Sequence, residues 1–130
     1  ALLIALSRLA LEHRLMPFPK TVESAVDKVR AALSTSAQRE LLTLVRELQL
    51  VGVPSLPVAA AVREAVEQAW FESRTLRIVY EKKAWQLSPR LVRIRNLVFE
   101  RQVTLLNCID LESGEDRQFR LDKIKQATVQ

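Results

Sequence analysis

Cysteine, histidine and glycine are nearly absent from this sequence, which has one cysteine, Cys108, one histidine, His13, and two glycines, Gly52 and Gly114. A lone cysteine excludes an internal disulfide, and together with one histidine it cannot complete a Cys/His zinc site within one chain. Two widely separated glycines exclude a glycine-rich phosphate-binding loop. No Ser/Asp arrangement accompanies His13. We therefore expect no cofactor, no metal and no enzyme.

Long apolar runs are missing as well. The longest, such as Leu2–Leu6, are far too short to cross a bilayer. The first residues lack the positive region that precedes the apolar stretch of a signal peptide, and the chain opens in mid-pattern without a methionine. We therefore expect a cytoplasmic protein with no membrane partner, and we interpret the sequence as a piece of a longer one.

Basic residues exceed acidic ones by a formal net charge of +5, and the excess is concentrated between Arg74 and Arg101. This stretch holds eight basic residues against two acidic ones, Glu81 and Glu100. Such an excess attracts phosphate groups and speeds association with anionic partners. A solvated basic surface without a ligand is the alternative interpretation.

Apolar residues recur at helical spacing in the first part of the chain, and the pattern predicts three helices. Pro17 and Pro19 are predicted to stop the first. Thr21 can cap the second helix, and Ser34 with the two residues after it can cap the third. Three short helices need a partner surface to bury their apolar stripes.

Residues 52–57, Gly-Val-Pro-Ser-Leu-Pro, break the helical pattern and predict a linker. A fourth helix is predicted from Val58 to about Ser73, and after it the apolar period changes from near four to two. Alternating segments predict strands at residues 75–80, 91–95, 103–111, 118–121 and 127–129. The sequence therefore predicts an α+β protein, with a helical connector or dimerisation segment at residues 1–57 and a second domain at residues 58–130.

Three stretches of the second domain carry a resemblance to a known family. Ala65–Tyr80 is a predicted helix that runs into a strand ending in tyrosine, and Leu87–Val92 is a proline-containing strand. Arg117–Ile124 has the sequence Arg-Gln-Phe-Arg-Leu-Asp-Lys-Ile. From Val62 to Val129 the chain resembles the WYL domain of bacterial transcriptional regulators, whose last motif is Arg-x-Phe-x-Leu-Asp-Arg-Ile. The resemblance implies a small Sm-like, SH3-type β-barrel introduced by one helix.

The sequence departs from that family in two places. The Trp-Tyr-Leu triplet that names the family falls at Thr104, Leu105 and Leu106, so that only Leu106 agrees. The final arginine of the last motif is Lys123, which keeps the charge but lacks the planar fork of a guanidinium. The N-terminal helices resemble the connector that follows a winged helix-turn-helix in these regulators, and no such DNA-reading domain is found in these 130 residues.

The resemblance also implies a ligand site built on basic residues. Arg117 and Lys123 are expected to line a cleft for a phosphate-bearing ligand, with Tyr80 placed to stack on a base. By strand alternation Arg117 shares a face with Phe119, whereas Arg120 lies on the opposite face. The complete set of predicted site residues is Arg117, Lys123, Arg120, Tyr80, Arg77 and Arg93.

Three of these residues also have a plainer interpretation. Arg117 can be an edge charge paired with Asp116 or Asp122, and Tyr80 can be a core residue that needs only a hydrogen-bond partner. Arg93, with Arg95 predicted on the same face, can belong to a solvated surface instead of a basic track.

Four further features are assigned outside this set. Trp70 is predicted in the core, and Cys108 is predicted as a small buried residue. Trp85 follows two lysines at the start of a predicted strand, and no role is assigned to it. The carboxylates at the predicted hairpin turn favour a solvated turn over a metal site; they belong to Asp110, Glu112, Glu115 and Asp116.

Together these observations predict the ligand-sensing regulatory portion of a bacterial transcriptional regulator. Its partners would be a single-stranded nucleic acid or nucleotide-like ligand, and DNA through a domain not in this chain. The alternative is an oligomerisation module without its own ligand, in which the apolar stripes of the first three helices build a homodimer. The two functions are compatible.

Overall fold

A computed structural model of the chain describes residues 1–12, 19–48 and 56–130, and divides into two units, Ala1–Ser55 and Leu56–Gln130. Each unit is described by itself. His13 and Pro17 lie outside the described residues. Most of the predicted linker at residues 52–57 does so too, and the division after residue 57 therefore stays a prediction. Within the described ranges, no helix is both long and apolar enough to cross a membrane.

Helices form the described part of the first unit, around a small core of Ile4, Ala5 and Leu41. They are α1 (Leu2–Glu12), α2 (Pro19–Ala31) and α3 (Thr35–Glu47).

The start of α3 is capped as predicted, because the Ser34 hydroxyl accepts the N–H of Ala37 at 3.2 Å. The predicted cap at Thr21 is wrong, since α2 already begins at Pro19. Proline is favoured in the first turn of a helix, where its missing N–H has no partner to lose.

The described part of the second unit consists of one α-helix followed by an antiparallel sheet. Helix α4 spans Ala60–Phe71, and a 3-10 helix, Leu121–Lys123, joins the last two strands. Every predicted strand is present, which confirms the α+β prediction. The strands are β1 (Thr75–Lys83), β2 (Gln86–Glu100), β3 (Val103–Asp110), β4 (Asp116–Arg120) and β5 (Ile124–Val129).

The strands pair in the order β4-β3-β2-β1-β5, so that β4 and β5 are the two edges of an open sheet. The expectation of a closed barrel is therefore corrected. Strand β4 pairs with β3 over only five residues, ending at Arg120, and the chain then turns into the 3-10 helix before β5 pairs with β1. No ladder forms between the two edges of the described sheet.

The open sheet is strongly curled. In a flat sheet β1 and β4 would lie about 14 Å apart, because two strands separate them. The rings of Tyr80 on β1 and Phe119 on β4 nevertheless have centroids 5.0 Å apart and meet edge to face. A β-bulge in β2, between Ile94 and Asn96, adds to the bend. The curl wraps one face of the sheet around the core.

The core fills this concave face and is covered by α4. Val62, Val66 and Ala69 of α4 pack with alternating strand residues, among them Leu76 and Ile78. Trp70 packs against the same cluster, as predicted.

The family triplet maps onto β3 with one residue in the core. Leu106 is 1 % exposed, whereas Thr104 and Leu105 are half-buried. Thr104 pairs with Phe99 across the β2–β3 ladder. An aromatic ring therefore stands on the strand next to the position where the family has its tryptophan.

Replacing Leu106 by alanine should lower the free energy of unfolding by about 2–5 kcal/mol, because it empties a fully packed site. Urea denaturation followed by circular dichroism measures the change. The matched control is Leu87→Ala, at a position 56 % exposed, for which we expect less than about 0.5 kcal/mol. Equal losses in the two variants would contradict the core described above.

Candidate ligand-binding site

One buried carboxylate organises the turn between β3 and β4. Asp110 is the last residue of β3 and is 0 % exposed. Its Oδ1 accepts the backbone N–H of Glu112 at 3.0 Å and of Ser113 at 3.4 Å. Its own carbonyl accepts the N–H of Gly114 at 2.7 Å, and its N–H donates to the carbonyl of Glu115 at 2.9 Å. The whole turn is therefore bonded to this residue.

Two arginines from different strands share the other oxygen of Asp110. Nη1 of Arg90, on β2, lies 3.3 Å from Oδ2, and Nε of Arg117, on β4, lies 3.4 Å from it. Burial raises the pKa of Asp110, but the two turn N–H groups and the two guanidinium charges outweigh burial and lower the pKa below its ordinary value. Asp110 is therefore ionised at neutral pH and joins three strands.

Arg117 is placed by the alternation of β4. It pairs with Cys108, and Phe119 pairs with Leu106, so that both β4 residues lie on the concave side as predicted. Phe119 is buried, whereas the Arg117 side chain remains 40 % exposed. Arg117 therefore reaches from the rim of the core to solvent.

The carboxylates that contact Arg117 are not the predicted ones. Its Nη2 lies 2.8 Å from Oε2 of Glu115, and its Nε contacts Asp110. The prediction of Asp116 or Asp122 as partners is wrong. Asp116 is the neighbour of Arg117 in β4 and points to the opposite face. Asp122 lies beyond the strand, in the 3-10 helix.

Arg117 also lines a groove of about 400 Å³ at the β4 edge of the sheet. Arg95 on its wall contacts Asp116 at 3.2 Å, and Gln118 donates to the side chain of Asn107 at 2.8 Å. Burial raises the pKa of the Cys108 thiol in this lining to about 12, so that the thiol is protonated at neutral pH. The groove offers arginine and amide groups. Its complete lining is Arg95, Asn96, Asn107, Cys108, Asp116, Arg117 and Gln118.

A second group of predicted residues meets around the 3-10 helix. Arg120 donates from Nε and Nη2 to the two oxygens of Asp122, at 3.1 and 2.8 Å. These hydrogen bonds, with the charge of Asp122, raise the pKa of Arg120. Tyr80 interacts electrostatically with Arg120 and packs its ring on Phe119. Tyr80 is therefore both a core residue and a neighbour of a predicted site cation.

Lys123 ends the 3-10 helix beside the end of β1. It forms no ion pair with a described residue, but its charge acts on Glu81. Nζ of Lys125 lies 2.7 Å from Oε2 of Glu81. The hydrogen bond from Lys125 and that from the Trp85 N–H are the main causes that lower the pKa of Glu81. Three of the predicted residues, Tyr80, Arg120 and Lys123, thus lie in or next to the 3-10 helix.

Arg77 and Arg93 are not brought to this site. Both are exposed and alternate with buried residues, so that they lie on the convex face, Arg77 paired with Leu91 and Arg93 with Thr75. The predicted track of Arg93 and Arg95 is interrupted, because the register shifts between Ile94 and Asn96.

Asp110 is the important residue that sequence reasoning missed. The prediction of a solvated turn is wrong for Asp110, because its side chain is fully buried. A signal was present, because Leu106, Cys108 and Asp110 are spaced by two along β3 and face the same side. Continuing the alternation to the end of the strand would have placed the carboxylate in the core.

A helix leading into a curled antiparallel sheet, with arginines at the sheet edge, defines a small α+β domain. A family model for the WYL domain matches residues 61–129. The chain therefore belongs to the family of WYL-domain proteins, which confirms the resemblance seen in the sequence.

Comparison with solved structures gives a match to proteasome accessory factor B/C (PafBC) of Arthrobacter aurescens, with 23 % sequence identity and a TM-score of 0.49. The alignment covers 56 % of this chain and 12 % of that one. This chain thus matches a small part of a much longer protein. A comparison with curated proteins gives no significant match.

Replacing Asp110 by asparagine should destabilise the second unit by about 1–3 kcal/mol at neutral pH, because two guanidinium groups lose their shared carboxylate. The lowered pKa of Asp110 means that its contribution is complete above about pH 4, the ordinary value for aspartate, and is lost as the pH falls through the lower folded value.

Urea unfolding of wild type and Asp110→Asn between pH 7 and pH 3 checks this prediction. The difference between the two proteins should shrink on acidification. Asp116→Asn, at an exposed carboxylate in the same region, is the control and should change little. A difference that stays constant down to pH 3 would contradict the role assigned to the Asp110 charge.

Proposed function

We propose that this chain is the regulatory portion of a transcriptional regulator, and that its WYL domain binds a single-stranded nucleic acid or a nucleotide-like anion at the β4 edge of the sheet. Membership of the WYL family supports the first part. The contact between buried Asp110 and half-exposed Arg117 supports the second. The proposal assigns no catalytic step to the domain.

Arg117 is pre-organised for an anion. A free arginine loses side-chain entropy when it binds, but here Asp110 already holds the guanidinium through Nε before any ligand binds. No described residue forms a hydrogen bond or an ion pair with its Nη1. A planar guanidinium presents its donors in the geometry of a phosphate, and a fixed one presents them at lower entropic cost.

The cations proposed to bind the backbone of the nucleic acid lie on one continuous segment of the sequence. Arg117 and Arg120 are on β4, and Lys123 ends the 3-10 helix that follows. Glu115 and Asp122 compensate the two arginines, whereas Lys123 has no ion-pair partner in the described chain. A phosphate at Arg117 would replace Glu115, whose exposed side chain can turn to solvent at small cost.

Regulation requires that the ligand-bound and ligand-free forms of the full-length protein have unequal affinity for DNA. The DNA contact is proposed to come from a domain not in this chain. The helical unit is proposed to connect the two.

Binding of a labelled oligothymidine strand, measured by fluorescence anisotropy, tests the proposal. Arg117→Ala should weaken binding about tenfold or more, because it removes a charged hydrogen-bond donor. Lys123→Ala should reduce the slope of log affinity against log salt by about 0.7, the value for one lost phosphate contact on a single strand.

The matched control is Arg101→Ala, which removes an exposed cation at the β2–β3 turn. It should bind as wild type. Duplex DNA and free nucleotides serve as competitors. Absence of strand binding at low salt, or equal loss in all three variants, would rule out a specific site at the β4 edge.

A second function is favoured by the first unit, whose described helices expose large apolar side chains. Leu3 and Leu6 on α1 and Leu42 on α3 are exposed, although the unit buries only a small core. We propose that a second copy of the chain covers these residues in a homodimer.

Light scattering of the purified chain should then give the mass of a dimer, and Leu3→Glu/Leu6→Glu should convert it to a monomer because a charge cannot be buried unpaired. Ser24→Glu, at an exposed position of α2, should leave the mass unchanged. A wild-type monomer at micromolar concentration would remove this second function.

A further inference from the structure

The turn between β1 and β2 presents a tryptophan to solvent. Trp85 is 94 % exposed, and Lys83 pairs with Gln86 across the two-residue connection. Single exposed apolar residues are common on protein surfaces, so exposure alone indicates nothing.

Trp85 has a φ of 68°, in the left-handed region that favours glycine or asparagine. A bulky side chain there costs conformational free energy, and at this turn the ring packs against almost nothing in return. Backbone strain of this kind concentrates at binding sites.

A carboxylate of β1 forms a hydrogen bond with the strained turn. The N–H of Trp85 donates to Oε1 of Glu81 at 3.3 Å, and Oε2 of the same carboxylate contacts Lys125 at 2.7 Å. Lys125 follows the 3-10 helix that ends at Lys123, and the charge of Lys123 also acts on Glu81. Glu81 thus links the β1–β2 turn to Lys123, one of the cations proposed above to bind the ligand.

The surroundings of the indole are positively charged. Lys82 and Lys83 are exposed, and neither forms an ion pair with a described residue. The nearest acidic residue in sequence, Glu81, is already bonded to Lys125. An exposed aromatic ring next to unpaired cations is the combination by which proteins bind single-stranded nucleic acids, with a base stacked on the ring and phosphates on the cations.

We infer that the β1–β2 turn is a second contact for the single strand, in which Trp85 stacks on an unpaired base and Lys82 and Lys83 bind the flanking phosphates. This inference rests on the proposed function. It extends the proposed contact from the β4 edge, past Lys123, to the β1–β2 turn. One indole on a turn is a small surface for a membrane, which binds extended amphipathic surfaces instead.

Intrinsic fluorescence tests the inference, because the chain has two tryptophans and the other, Trp70, packs against the core. Titration with an oligothymidine strand should quench the Trp85 emission saturably, and an abasic strand of equal length should not. Trp85→Phe should remove the signal while keeping affinity close to wild type.

Trp85→Gly separates stacking from stability. Glycine accepts a φ of 68° without strain, so the variant should be at least as stable to heat as wild type. It should nevertheless bind the strand about 5- to 150-fold more weakly, the range expected for one lost stacked base. Phe99→Ala, near the opposite end of β2, is the matched aromatic control and should keep full affinity.

The outcomes distinguish this inference from the function on which it rests. Strand binding that depends on Arg117 and Lys123 but is unchanged in Trp85→Gly would overturn the inference and leave the proposed function standing. No strand binding by wild type at low salt would overturn both. Quenching of Trp85 by anionic phosphatidylserine vesicles, but not by strands, would assign the turn to membranes and overturn the inference.

Discussion

The contact of Asp110 with Arg90 and Arg117 is the interaction on which the second unit depends. A buried carboxylate is unfavourable unless its oxygens are satisfied, and here two N–H groups and two guanidinium groups satisfy them. Its neighbours on the same face, Leu106 and Cys108, are apolar core residues. One charge therefore joins β2 to the β3–β4 turn and fixes the arginine that faces the groove. The position of the candidate site follows from the contact between Asp110 and Arg117.

Much of the fold was predictable because local patterns determine it. Alternating apolar residues located every strand, the stripe of Val62, Val66 and Ala69 located the buried side of α4, and Ser34 marked the start of α3. Tertiary geometry was not predictable from such patterns. Alternation cannot show that β4 ends too early to close the sheet, or that a bulge at Arg95 interrupts the convex basic track. These features depend on pairing between distant strands.

The candidate site divides in the same way. The side of β4 occupied by Arg117 followed from a period of two, but its carboxylate partners depended on which residues the curl brings together. Arg77 and Arg93 are among the predicted site residues, but the alternation that buries Leu76, Ile78 and Val92 places them on the convex face.

The burial of Cys108 has a consequence for how this sheet can be observed. It is the one cysteine in the chain, and its thiol lies in β3, between the strands β2 and β4. Reagents attack a thiolate, so they react with this residue only when the strand separates from its neighbours and the sulfur becomes ionised. The rate of labelling therefore counts local openings of the sheet. The chain thus contains an intrinsic probe of local opening of the sheet, at a residue that also lines the groove.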